Sequence, residues 1–207
     1  MIKEPYLSHK LSHFSVNPIV RSFIVSETLL WSAWNFIFPI IALFVVARVA
    51  GGNVEVAAEA YSVYLITRVV AELISGRVLS KMSDRVKLAM AVIGMLMLSL
   101  AYASFLFVST YMLLFGVYAL IGFGLGISSP AKYALFSTHL NRTKASTEWS
   151  IYDAVSFTGM AIAGVIGGFV ANTYGFDALF LAACALNLAG ILPYILIYQQ
   201  SHKADSV

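Results

Sequence analysis

The sequence predicts an all-α integral membrane protein of six transmembrane helices, with both termini on the cytoplasmic side. Two observations support this. Six long apolar runs succeed one another along the 207 residues, at 23–46, 57–79, 88–108, 111–129, 149–170 and 178–198. Nearly every Lys and Arg falls in alternate gaps between them. A helix needs about 20 apolar residues to cross the hydrocarbon core. With no water there, only helices and closed barrels satisfy their backbone groups. Barrel strands would alternate over about 10 residues, and these runs are longer and uniformly apolar. With 60% hydrophobic and 11% charged residues, no segment is left for a separate soluble domain.

Residues 1–22 form a polar N-terminal arm holding Pro5 and Pro18. It leads into a full-length span, unlike a cleaved signal peptide. The first span carries Glu27, Asn35 and Pro39, and Gly51-Gly52-Asn53 marks the first outer loop. The second span carries Arg68 and Glu72 and runs into a basic loop. Tyr111 opens the fourth span, which is rich in glycine (Gly116, Gly122, Gly124, Gly126). Trp149 opens the fifth, which holds Asp153 and the small residues Gly159, Ala163, Gly164, Gly167 and Gly168. Tyr111, Trp149, Tyr174 and Tyr198 fall where amphipathic rings sit among headgroups. Thr173-Tyr174-Gly175-Phe176 makes a tight last outer turn, and the sixth span ends in the tail 199–207. The expected organisation is an arm (1–22), a six-helix domain (23–198) and a cytoplasmic tail (199–207).

Charge sets the orientation. Lys3, Lys10 and Arg21 lie in or beside the arm, and Arg77, Lys81, Arg85 and Lys87 follow span two. Lys132, Arg142 and Lys144 follow span four, and Lys203 lies in the tail. Only Arg48 lies on the other side, and Arg68 is inside a span. Positive charge stays cytoplasmic, so the sequon Asn141-Arg142-Thr143 is not a glycosylation site. The calculated pI near 9 reflects this topology, and no nucleic-acid partner is expected. The lone Cys184 gives neither a disulfide nor a CxxC metal site.

Ionisable side chains within a span cost at least about 2.5–3.5 kcal/mol on insertion scales, so each needs a partner or a wet cavity. Glu27, Asn35, Arg68, Glu72 and Asp153 are the pathway candidates. Arg68 and Glu72 are four apart and can meet on one helix. Glu27 and Glu72 fall at similar depth, where Arg68 can bridge them. One role is a structural ion-pair cluster fixing how spans one, two and five pack. The other is a carboxylate, Glu27 or Asp153, that changes protonation during transport. Pro39 frees a backbone carbonyl and bends the first span. The small residues Gly159, Gly164, Gly167 and Gly168 allow close helix packing. Gly122-Phe-Gly124-Leu-Gly126 has no preceding strand and is not a dinucleotide fingerprint.

The loop Glu72-Leu-Ile-Ser-Gly-Arg-Val-Leu-Ser-Lys-Met-Ser-Asp-Arg-Val-Lys87 resembles the signature loop of the major facilitator superfamily. Gly76, Val78, Asp84, Arg85 and Lys87 carry the likeness; with Gly76 leading, Ser80 and Ser83 both depart from it, and with Asp84 as the acidic residue, Ser80 stands in the leading position. Gly159-Met-Ala-Ile-Ala-Gly-Val-Ile-Gly-Gly168 is similar to the fifth-span motif of the family's antiporters. Ala163 replaces a glycine and Gly164 a proline, so antiport is not implied. The resemblance implies half of a major-facilitator-type bundle and secondary transport of a small solute by alternating access. Two six-helix units would enclose the pathway, as a homodimer or with a second six-helix chain, in the cell membrane. In that arrangement the Gly76–Lys87 loop would act as a cytoplasmic latch.

Two other classes compete. One is a membrane subunit that captures substrate for a multicomponent importer, or a membrane interaction protein that transports nothing. The other is an enzyme. His9, His13, His139 and His202 all lie outside the spans, and there is no HExxH. An intramembrane serine or zinc protease therefore lacks its base or its ligands. No catalysis, cofactor or metal is expected.

Overall fold

The structure is a computed structural model and describes residues 16–196. Lys3, Lys10, Tyr198, Lys203 and three of the four histidines lie outside the described residues. The chain forms helices α1 (Pro18–Ile37), α2 (Ile41–Arg48), α3 (Val54–Leu79), α4 (Asp84–Ser104), α5 (Tyr111–His139) and α6 (Ala145–Ala189). No strand occurs among the described residues.

Local chemistry sets the helix ends. Asn17 caps α1 by accepting from Ile19 N at 3.0 Å, and Asn53 caps α3 by accepting from Val56 N at 2.8 Å. Such caps satisfy amide groups that the first helical turn leaves without partners. Pro39 separates α1 from α2 with a 42° bend. It supplies no N–H to the Asn35 carbonyl one turn back, and that carbonyl faces Gly164 of α6. The loops 49–52 and 109–110 meet at one end, where Ala50 N donates to Ser109 O at 2.8 Å.

Contacts along α1 and α2 show that α6 is two limbs. Gly159 lies against Thr28 and Ser32, Gly167 against Phe36, and Phe176 and Phe180 against Phe44. The order then reverses, with Gly190 beside Ser26 and Tyr194 beside Glu27. Gly175 makes the turn with φ 83° and ψ 176°, a region open almost only to glycine. The predicted outer turn at 173–176 is the point where the chain doubles back.

The α3–α5 pair is parallel: Gly122 meets Tyr64 and Thr67, and Gly126 meets Ala71. The α4–α5 pair is antiparallel, with Gly94 on Gly124 and Phe105 on Tyr118. Among the described residues, three stretches are long and apolar enough to cross a membrane by themselves: Asp84–Phe107, Tyr111–His139 and the double limb Ala145–Leu196. The bent pair α1–α2 qualifies as a fourth. Helix α3 does not, because Glu55, Glu59, Arg68, Glu72 and Arg77 interrupt its apolar surface.

The fourth run extends beyond its expected end. Helix α5 continues through Pro130 to His139, whereas the sequence placed a loop after 129. Pro130 deprives the Gly126 carbonyl of its helical donor. Ser75 Oγ of α3 donates to that carbonyl at 2.5 Å instead, so the helix continues.

Candidate functional site

The extension of α5 brings Lys132 into the bundle. Its side chain is 1% exposed, and Nζ lies 2.7 Å from Oε1 of Glu27 on α1, which is 0% exposed. Lys132 is thus not the cytoplasmic loop charge expected from the sequence. It is the ion-pair partner of Glu27, in the place proposed for Arg68. The Tyr194 hydroxyl stands 3.5 Å from the same carboxylate oxygen. Ser26, one residue before, donates to the Gly190 carbonyl and so ties α1 to the end of the second α6 limb. Glu27 Oε2 has no hydrogen-bond partner among the described residues. Three helical runs, α1, α5 and the second α6 limb, therefore meet at one buried carboxylate with one oxygen still open to a donor.

Aromatic rings close one side of this pair. Phe23 and Phe136, each one turn from Glu27 and Lys132, stack at 4.2 Å. Trp149 packs edge-on against Phe136 at 4.7 Å, and Tyr152 joins both. Trp149 is therefore part of this cluster and half-buried.

A second polar group lies on α3. Arg68 Nε is 3.3 Å from Glu72 Oε2, and Arg68 Nη1 donates to the Tyr64 hydroxyl at 2.8 Å. Both members of the pair are partly open, at 21% and 37% exposure. Tyr133, the residue after Lys132, lies close enough to interact with Glu27, Arg68 and Glu72. The two ion pairs, with Tyr133 within electrostatic reach of both, make up a polar band on α1, α5 and α3. Asn35 sits above it and donates to the Trp31 carbonyl at 3.1 Å. Asp153 does not join the band. It is exposed, while its neighbours Tyr152 and Ser156 are buried, Ser156 against Thr28 of α1 at 3.3 Å.

In the basic loop, Ser83 is the N-cap of α4 and Asp84 occupies its first turn. Asp84 is 59% exposed and pairs with Lys87 at 3.0 Å. A carboxylate there favours the positive end of the helix dipole. Gly76 lies in ordinary contact with Pro130.

The sequence profile of the Major Facilitator Superfamily matches residues 23–206. The chain belongs to this superfamily. It is a membrane protein of that family, as the loop at 72–87 suggested. It is 34% identical over 89 residues to an uncharacterized MFS-type transporter of Pseudomonas aeruginosa strain UCBPP-PA14. That match takes in 41% of this chain and 21% of the relative. A second uncharacterized MFS-type transporter, from P. aeruginosa strain PAO1, is 33% identical over the same shares. Among solved structures, the POT family transporter PepTSo superposes with a TM-score of 0.76 at 14% identity. The match covers 89% of this chain and 38% of PepTSo. The matched regions thus make up well under half the length of each of these relatives, and the fold is that of this superfamily.

Within this facilitator bundle, the fifth-run glycines divide by face. A Cβ at Gly159 would stand 2.7 Å from Thr28 Cγ2, and one at Gly167 would collide with the Phe36 carbonyl. Gly164 has the Asn35 carbonyl at an ordinary 3.8 Å. Gly168, grouped with them from the sequence, has no described residue within 4 Å of where its Cβ would stand. Sequence reasoning also missed Glu148, which is 3% exposed and whose Oε2 accepts from Asn141 N at 2.9 Å. The only cue was an acidic residue in the first turn of α6.

Proposed function

We infer that this chain is a six-span, N-in/C-in half of a secondary transporter in the cytoplasmic membrane, moving a small solute by alternating access. The observation that carries this is the buried Glu27–Lys132 pair, continued through Tyr133 to the partly open Arg68–Glu72 pair. Isolated charges in a membrane interior are costly and mark ion or solute pathways. A chain of them running from buried to open offers a route for a proton and a polar foothold for a solute. With Lys132 moved into the bundle, ten basic residues still lie on the expected cytoplasmic side against Arg48, so the orientation argument stands.

The second half of the pathway is a parallel six-helix unit, a second copy of this chain in the simplest arrangement. Large apolar side chains on α3 and the first α6 limb are exposed, among them Ile66, Leu73, Phe157 and Phe169. Asp153, exposed beside them, would gain its partner there. Native mass spectrometry from lipid nanodiscs is expected to show dimers; a strict monomer would overturn the homodimer. A thermal-shift screen of small solutes is expected to find a ligand for the wild type whose effect is lost in Glu27→Gln. A ligand that shifts both proteins equally would remove Glu27 from the pathway.

The loop supports a latch role. Asp84→Ala combined with Arg85→Ala should change the accessibility of cysteines placed at the two ends of the bundle. Unchanged accessibility together with unchanged transport would remove the latch role.

A further inference from the structure

A groove of about 440 Å³ runs between α3, α4 and α5 at the end of the bundle that carries the basic loop. Its lining is almost wholly apolar and includes Val78, Met82, Val86, Met90, Phe123 and Ile127. The polar band does not reach it. Three lining residues are each immediately preceded by a basic one: Arg77-Val78, Lys81-Met82 and Arg85-Val86. Arg77, Lys81 and Arg85 are all exposed. The one acidic residue of this loop, Asp84, is paired with Lys87. An apolar slot in a membrane protein, opening at a rim of net positive charge, matches a molecule with a hydrocarbon tail and an anionic head.

We propose that this groove binds one anionic phospholipid of the surrounding bilayer, with an acyl chain along Met90 and Ile127 and the phosphate at Arg77 and Lys81. Basic side chains at an anionic membrane surface each favour such lipids by about fivefold, and this groove fixes two of them over a single tail site. A free anion would use the rim and leave the slot empty, and a zwitterionic lipid would use the slot without the charge. The site rests on membrane insertion alone and does not depend on transport.

The test uses the full chain in phosphatidylcholine nanodiscs doped with phosphatidylglycerol bearing a diazirine in its acyl chain. After irradiation, adducts are expected within 74–90 and 123–127, exceeding those from a matched photoreactive phosphatidylcholine by roughly twenty-five-fold. Arg77→Gln with Lys81→Gln should reduce labelling to the phosphatidylcholine level with the melting temperature unchanged. Val78→Phe, which fills the slot, should reduce labelling by both lipids. Equal labelling by the two lipids would overturn the site, as would adducts spread evenly over the exposed faces of α4 and α6. So would a peptide–peptide cross-link placing a second copy, or the chain's own terminal segment, in the groove. None of these readouts involves solute movement, so failure here is separable from failure of the transport assignment.

Discussion

Lys132→Met is expected to destabilise the protein by about 3–5 kcal/mol, the usual loss when one member of a buried ion pair is removed. The wild-type pair is closed to solvent, at 1% and 0% exposure with 2.7 Å between the charges. Methionine nearly fills the volume of lysine but leaves the Glu27 carboxylate with only the Tyr194 hydroxyl, 3.5 Å away. Combining Lys132→Met with Glu27→Leu removes both charges, and such replacements are often neutral or stabilising. The double variant should therefore melt close to the wild type and well above either single variant, in thermal unfolding followed in detergent. That ordering would show the pair to be dispensable for folding, which leaves its pathway role as the reason for burying two charges. A single variant as stable as the wild type would show instead that Lys132 is not desolvated beside Glu27.

The pair also shows what the sequence could reveal. Glu27, Arg68 and Glu72 are visible because a charge within an apolar run stands out, and the i,i+4 spacing puts the last two side by side. Lys132 was hidden by Pro130, an ordinary stop signal that follows Ser128-Ser129. The helix passes it because Ser75, fifty-one residues before Gly126, supplies the missing donor to the Gly126 carbonyl. That contact belongs to the packing of two helices and leaves no trace in local sequence. Asp153 illustrates the same limit. Its depth follows from its position in the run, but polar and apolar residues of this helix do not segregate onto faces, so no amphipathic pattern announces which face turns inward. The turn at Gly175, by contrast, depends on one residue's backbone and was readable.

Gly167→Ala should be among the most damaging single-methyl changes in the chain, and Gly168→Ala one of the mildest. The two residues are neighbours on one helix with the same propensity gain, since alanine favours a helix interior over glycine by about 1 kcal/mol. Their surroundings differ completely. A Cβ at Gly167 would strike the Phe36 carbonyl, a backbone atom of α1 one turn before the Pro39 bend, while a Cβ at Gly168 meets nothing within 4 Å. A flexible side chain could swing aside, but Phe36 O cannot move without displacing α1. Overpacking of this kind costs typically about 1–3 kcal/mol, and more where backbone must shift. The displacement would be felt at the pair, because Glu27 is on the same helix and Gly190 is held to Ser26. Gly167→Ala is therefore expected to lower the melting temperature and to weaken whatever ligand response depends on Glu27, while Gly168→Ala leaves the melting temperature equal or slightly raised. If Gly168→Ala proved as damaging in nanodiscs but harmless in monomeric detergent-solubilised protein, its open side would be covered in the membrane. That outcome would place the second six-helix unit against the first limb of α6, where Asp153 lies exposed. If the two substitutions were equally mild in both media, α1 and α6 would have to lie farther apart than their shared glycine contact requires.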